Sequence, residues 1–277
     1  MSQKRIIFVP LNIFPRNKMS SGSFFSNIPP VVKNLVIINL IMWLLCMTLT
    51  KHNFLGDFNL YDALTLHYWE SEKFWPIQMF SYMFLHDRSG IAHVFFNMFS
   101  LWMLGSPLEA RLGSKKFITF YVVCGLGAAL VQQIVWSCQL YGMDVETFIS
   151  SYRPDLYHIT DMIENGQLNT NIHYEEGVIE NAGQLRSVLL NGIGTVGASG
   201  AVFGIMIGFA MLFPEMPLYI MFIPVPIKAK YMMLIYAALE LCFGVAASND
   251  GIAHYAHLGG MIFAILMIVW WKKRNEI

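Results

Sequence analysis

The sequence predicts an all-α membrane protein, a bundle of six spanning helices with a short central fourth helix. Three observations lead there. The 277-residue chain is 56% hydrophobic and only 13% charged, roughly half the charge of a soluble domain. Its apolar residues gather into six runs close to the ~20 residues that cross a bilayer as a helix. Its Lys and Arg fall mainly in alternate loops, as orientation by the positive-inside rule requires. The first partner expected is therefore the lipid bilayer. The net charge of zero argues against nucleic acid as a partner.

The six runs are about Val31–Thr50, Ile91–Leu108, Phe117–Leu140, Ser199–Phe213, Ile227–Ala247 and Ile252–Trp271. They make one membrane domain over residues 31–272, between an N-terminal tail at 1–30 and a C-terminal tail at 273–277. The tail at 1–30 begins with Lys4 and Arg5, and Pro10 and Pro15 punctuate its apolar run. With no small-residue cleavage site after it, it reads as a cytoplasmic tail with interfacial character. With the N-terminus inside, 13 Lys and Arg lie on the cytoplasmic side and 5 on the outer side, so both termini are expected in the cytoplasm. Two outer loops are large. The first, about 51–90, carries Phe54, Phe58, Tyr61, Tyr68, Trp69, Phe74 and Trp75, a composition suited to the membrane interface. The second, about 141–197, is acidic, with apolar spacing that allows short amphipathic helices at Val145–Tyr152 and Gly183–Leu190.

Cys46, Cys124, Cys138 and Cys242 lie in or beside apolar runs without CxxC spacing, so they read as small hydrophobes rather than a disulfide or metal framework. No HExxH pattern occurs. Neither a cofactor nor a metal is expected.

Polar groups inside spans are costly and mark function. Three places stand out. Gly192 to Gly200 is glycine-rich and leads into span four, which puts Ser199 at a helix N-terminus, where backbone N–H groups favour a developing oxyanion. Alone, Ser199 could equally be an N-cap, and Gly200, Gly204 and Gly208 form an ordinary packing stripe. His257 lies inside span six. Span four is ~22 Å long, about 8 Å short of a 30 Å core, so Ser199 should lie below the outer surface. His257, counted from Gly251, comes out ~9 Å deep, at the same level. His254, one turn nearer the surface, is a weaker candidate for the same role. His93 and Asn97 share one face of span two at i,i+4 spacing, and both can donate to an oxyanion. Nucleophile, base and oxyanion donors thus converge in the outer third of spans two, four and six. No acidic residue is evident near His257, so a Ser–His dyad is expected rather than a triad.

Gly197-Ala-Ser-Gly200, Ala256-His-Leu-Gly-Gly260, His93-x-x-x-Asn97 and Glu109-Ala-Arg-Leu-Gly113, in this order, resemble the motifs of rhomboid intramembrane serine proteases over about Phe74 to Trp271. The resemblance implies Ser199 as nucleophile and His257 as general base. It implies an oxyanion hole of His93, Asn97 and the Ser199 backbone N–H. Gly197, Gly200, Phe203 and Gly260 would pack the active site, and Glu109 and Arg111 would be structural at the cytoplasmic end of span two. It further implies a bacterial cytoplasmic (inner) membrane protein that cuts transmembrane protein substrates. Two departures stand out. Many relatives carry Trp-Arg in the first outer loop where this chain has Ile77-Gln78, and a Tyr is common where this chain has Phe203. Two other readings compete: a proteolytically inactive relative that binds membrane clients, and a small-solute transporter. The first should lack Ser or His, and the second should show inverted repeats; this sequence has both residues and no repeat.

Overall fold

A computed structural model describes residues 28–52, 59–87, 90–152, 163–164, 167–168, 172–174, 177–179, 181–219, 225–246 and 253–277. The expected tail up to residue 27, Phe54 and Phe58, and the inferred entry point of span six at Gly251 lie outside the described residues.

The described helices are α1 (Pro30–His52), α2 (Leu60–Leu64), α3 (Gln78–Ser81), α4 (Ile91–Leu112), α5 (Ser114–Leu140), α6 (Val145–Tyr152), α7 (Ala182–Asn191), α8 (Ser199–Leu212), α9 (Ala229–Val245) and α10 (His254–Lys273). Four of them, α1, α4, α5 and α10, are long and apolar enough to cross a membrane. The expected short fourth span is α8, with 14 residues, ~21 Å of helix. Span five is shorter than its apolar run. Pro226–Lys228 pairs as a strand with Pro217–Tyr219, so α9 begins only at Ala229 and has 17 residues. Span two is longer than expected. Its helix passes through Pro107 and stops at Gly113, whose φ of 77° lies in the left-handed region open to glycine. The amphipathic segments foreseen in the second outer loop are α6 and α7.

α8 is the central element, packed against α4, α5, α9 and α10. Glycine makes this possible. A Cβ on Gly200 would stand 2.5 Å from Ala128 Cβ, one on Gly204 2.7 Å from Cys124 Cβ, and one on Gly208 2.7 Å from Phe120 Cζ. These positions step along α8 by four and down α5 by four, so the stripe seats two antiparallel helices backbone to backbone. On the other side a Cβ on Gly260 would overlap the Gly200 carbonyl, which fixes α10 against the first turn of α8. Outward faces stay apolar, with Ile41, Phe96, Leu234 and Leu266 all exposed, as lipid contact requires.

The strands are short antiparallel pairs. The one that matters joins Leu66–His67 to Gly194–Thr195, which ties the first outer loop to the glycine-rich segment ahead of α8. Gln78 and Gln133 anchor that loop. Gln78 is buried; its Nε2 donates to the carbonyls of Ala63 (3.1 Å) and Lys73 (2.8 Å), and its Oε1 accepts from the His67 N–H. Gln133, on α5, donates to the His67 carbonyl at 2.6 Å and accepts from the Trp69 N–H at 3.0 Å. The loop that lacks Trp-Arg is thus held by two buried amides, each bonded to backbone groups of the loop.

Candidate active site

Ser199 is the first residue of α8; the N-cap is Ala198, and no side chain caps the helix. The serine hydroxyl is therefore not spent on capping. Its Oγ lies 2.8 Å from His257 Nε2, at the first turn of α10. Phe203, one turn along α8, stacks on the His257 ring with centroids 4.3 Å apart and planes 19° from parallel. The imidazole is held at one nitrogen and across one face.

Gly197 explains why the approach to Ser199 is glycine-rich. Its φ is 137°, strained for any side chain, and its N–H donates to the Tyr82 carbonyl at 3.0 Å. A Cβ there would lie 3.3 Å from Ser199 Oγ and 3.3 Å from His93 Nε2. The bare glycine thus leaves a gap flanked by the nucleophile and an imidazole. His93 Nδ1 accepts from the Asp87 N–H at 3.2 Å, so in the neutral ring the proton sits on Nε2, the nitrogen facing that gap. Asn97 is buried one turn further along α4, and its Nδ2 donates to the His93 carbonyl at 2.9 Å. In this state its amide is engaged with its own helix. His86 lies beside His93, ring centroids 5.3 Å apart. Burial, and next the neighbouring His93, lower its imidazole to about 3, so it is neutral.

The expectation that no acid lies near His257 is overturned. Glu240 of α9 places Oε2 2.9 Å from His257 Nδ1 and 2.6 Å from His254 Nδ1. The three side chains are 13%, 8% and 6% exposed. Glu240 escaped the sequence reading because it stands 17 residues from His257 and belongs to no motif. The signal was there: it is the one acid in α9, inside an apolar run. The ligand-type atoms of these three residues all lie within 4.8 Å of one another. At 2.6 and 2.9 Å the carboxylate–imidazole spacings are those of hydrogen bonds.

Glu109 and Arg111 lie at the far end of α4. Glu109 is buried and accepts from the N–H groups of Val31 (3.1 Å) and Val32 (2.8 Å) and from the Ser114 hydroxyl (2.6 Å). It caps the start of α1 from another helix and pins the α4–α5 corner. Arg111 is exposed in the last turn.

The model of the rhomboid domain matches residues 71–141 and 171–274, more than half of the chain. Among curated proteins, the chain is similar to the rhomboid protease GlpG of Klebsiella pneumoniae subsp. pneumoniae, 34% identical over 80 residues, which cover 29% of this chain and 28% of that protein. It is also similar to the rhomboid protease GlpG of Salmonella choleraesuis, 39% identical over 61 residues, or 22% and 21% of the two chains. The aligned stretch spans about a quarter of the length of these curated relatives. With the family model covering both the α4 and the α8–α10 segments, this integral membrane protein belongs to the rhomboid family.

Proposed function

We propose that the protein is an intramembrane serine endopeptidase that cleaves single-span membrane proteins near the outer face, with Ser199 as nucleophile and His257 as general base. The observation that carries this reading is the 2.8 Å contact between Ser199 Oγ and His257 Nε2 at the buried start of a helix. As Oγ attacks the scissile carbonyl carbon, its proton passes to His257 Nε2. The oxyanion forms beside the Ser199 backbone N–H and the His93 Nε2–H; Asn97 joins by exchanging its bond to the His93 carbonyl for one to substrate. His257 then protonates the leaving amine as the C–N bond breaks, and the acyl ester remains on Ser199. A water attacks that ester, giving its proton to His257, and Ser199 recovers its hydroxyl proton from the ring.

The substrate must unwind locally, because a helical backbone hides its carbonyls in its own hydrogen bonds. The short α8 supports this, since a ~21 Å helix leaves a recess in a ~30 Å core through which water can enter. The chain would sit in a bacterial inner membrane with both termini in the cytoplasm, as the Lys and Arg asymmetry favours. A fluorophosphonate probe tests the reading on the full-length protein in detergent. Wild type should label and Ser199→Ala should not. Absence of labelling in folded wild type would favour a client-binding role.

A further inference from the structure

We propose that Glu240 is a positioning residue of this site, holding His257 in the tautomer and orientation that let it take the Ser199 proton. The inference rests on the proteolytic reading and extends it from two residues to three. An ionised carboxylate has no proton to give, so it can only accept. With Glu240 Oε2 2.9 Å from His257 Nδ1, the hydrogen of the neutral ring stands on Nδ1, and the Nε2 lone pair is left for the serine hydroxyl 2.8 Å away. The other tautomer would point an N–H at Ser199 and could not act as a base. When His257 takes the proton, the carboxylate is already beside the imidazolium that forms.

The rest of the surroundings fits this role. Phe203 stacks on the ring face, and the Ser199 hydroxyl at Nε2 can give or accept a hydrogen bond, so neither chooses the tautomer; Glu240 does. His254 Nδ1 donates to the same oxygen at 2.6 Å and so fixes the carboxylate itself. Glu240 lies five residues from the end of α9, ~7.5 Å in from it, where an acid is expensive unless its partners use it. A purely structural tie between α9 and α10 already exists elsewhere: Tyr255 Oη donates to the Gly244 carbonyl at 2.9 Å.

That second tie gives the control. Glu240→Gln keeps shape and bulk but offers an amide that can donate to Nδ1, which favours the unproductive tautomer. Where an acid orients the imidazole of a serine protease, its amide costs about 10⁴ in turnover. The test measures fluorophosphonate labelling rates of full-length protein in detergent, and kcat and KM on a synthetic single-span peptide in liposomes. Glu240→Gln should lower labelling rate and kcat by roughly 10²–10⁴-fold, leave KM near wild type and keep the melting temperature. Tyr255→Phe, which loosens the same two helices, should label at the wild-type rate. A folded Glu240→Gln that labels within about threefold of wild type would overturn the proposal, as would a Tyr255→Phe that falls as far as Glu240→Gln. Should Glu240→Gln fail to fold, proton NMR of ¹⁵N-histidine wild type decides instead. A low-field Nδ1–H resonance lost in His257→Ala supports the bond to Glu240, and its absence overturns it. Failure of wild type to label at all, or labelling that persists in Ser199→Ala, would instead sink the proteolytic reading beneath it.

Discussion

Glu109 and Glu240 are the same side chain at opposite ends of the bundle, and their partners set them apart. Glu109 accepts from two backbone N–H groups and a hydroxyl. None of these partners changes its protonation near neutral pH, so the bonds serve assembly: the start of α1 is capped from across the bundle. Glu240 accepts from two imidazoles, side chains that can both give and take a proton. One carboxylate closes backbone donors, and the other faces the histidine proposed as the base. The comparison predicts that variants at the His257 end lose turnover while staying folded, and that variants at the Glu109 end lose stability while each folded molecule keeps its turnover.

The largest effect is expected at Ser199 and His257. Ser199→Ala and His257→Ala should each abolish cleavage with the melting temperature little changed, and the double variant should be no worse than either, because the pair acts as a unit. Cleavage at the wild-type rate in Ser199→Ala would break the assignment. Next comes the oxyanion side. His93→Ala with Asn97→Ala should lower kcat by about 10²–10³, the usual worth of an oxyanion donor. An unchanged kcat in the double variant would remove both from the site.

At the other end Glu109→Ala should cost about 1–3 kcal/mol, the cost of leaving buried donors unpaired. Thermal unfolding in detergent measures it. Serine labelling per folded molecule should stay at wild type, and a labelling loss without a stability loss would erase the contrast between the two glutamates. The smallest effect belongs to an exposed acid. Glu215 pairs with Lys228 and with Lys230 across the strand pair that joins α8 to α9, and these hydrogen bonds, Lys228 foremost, lower its carboxyl from 4.5 to about 2. A folded-state value below the unfolded one means stability present above 4.5 and lost as pH falls toward about 2. The gap in melting temperature between wild type and Glu215→Gln should be small at neutral pH and close over that window. A gap that widens in acid would contradict the pairing.

The sequence by itself determined the helical architecture, the short fourth span and the meeting of Ser199 with His257. Apolar run lengths report bilayer thickness directly, and glycine spacing reports which helix faces can touch. A simple count of rise per residue set the serine and the histidine at one depth, and the 2.8 Å contact between them agrees with that count. Phe203 was legible for the same reason, being one helical turn from Ser199. Tertiary structure alone decided the rest. Gln78 stands where many relatives carry Trp-Arg, but only the fold shows its bonds to the loop backbone, and nothing in the sequence neighbourhood of Gln133 marks it as the second anchor. Asn97 shares a face with His93 as its spacing requires, but only the fold shows its amide turned back onto the helix. Glu240 is the sharpest case. Sequence spacing encodes neighbours along one helix, whereas the meeting of α9 with α10 depends on how glycine-lined helices settle side by side. The acid reaches His257 through the packing of α9 on α10, and no local pattern carries that distance.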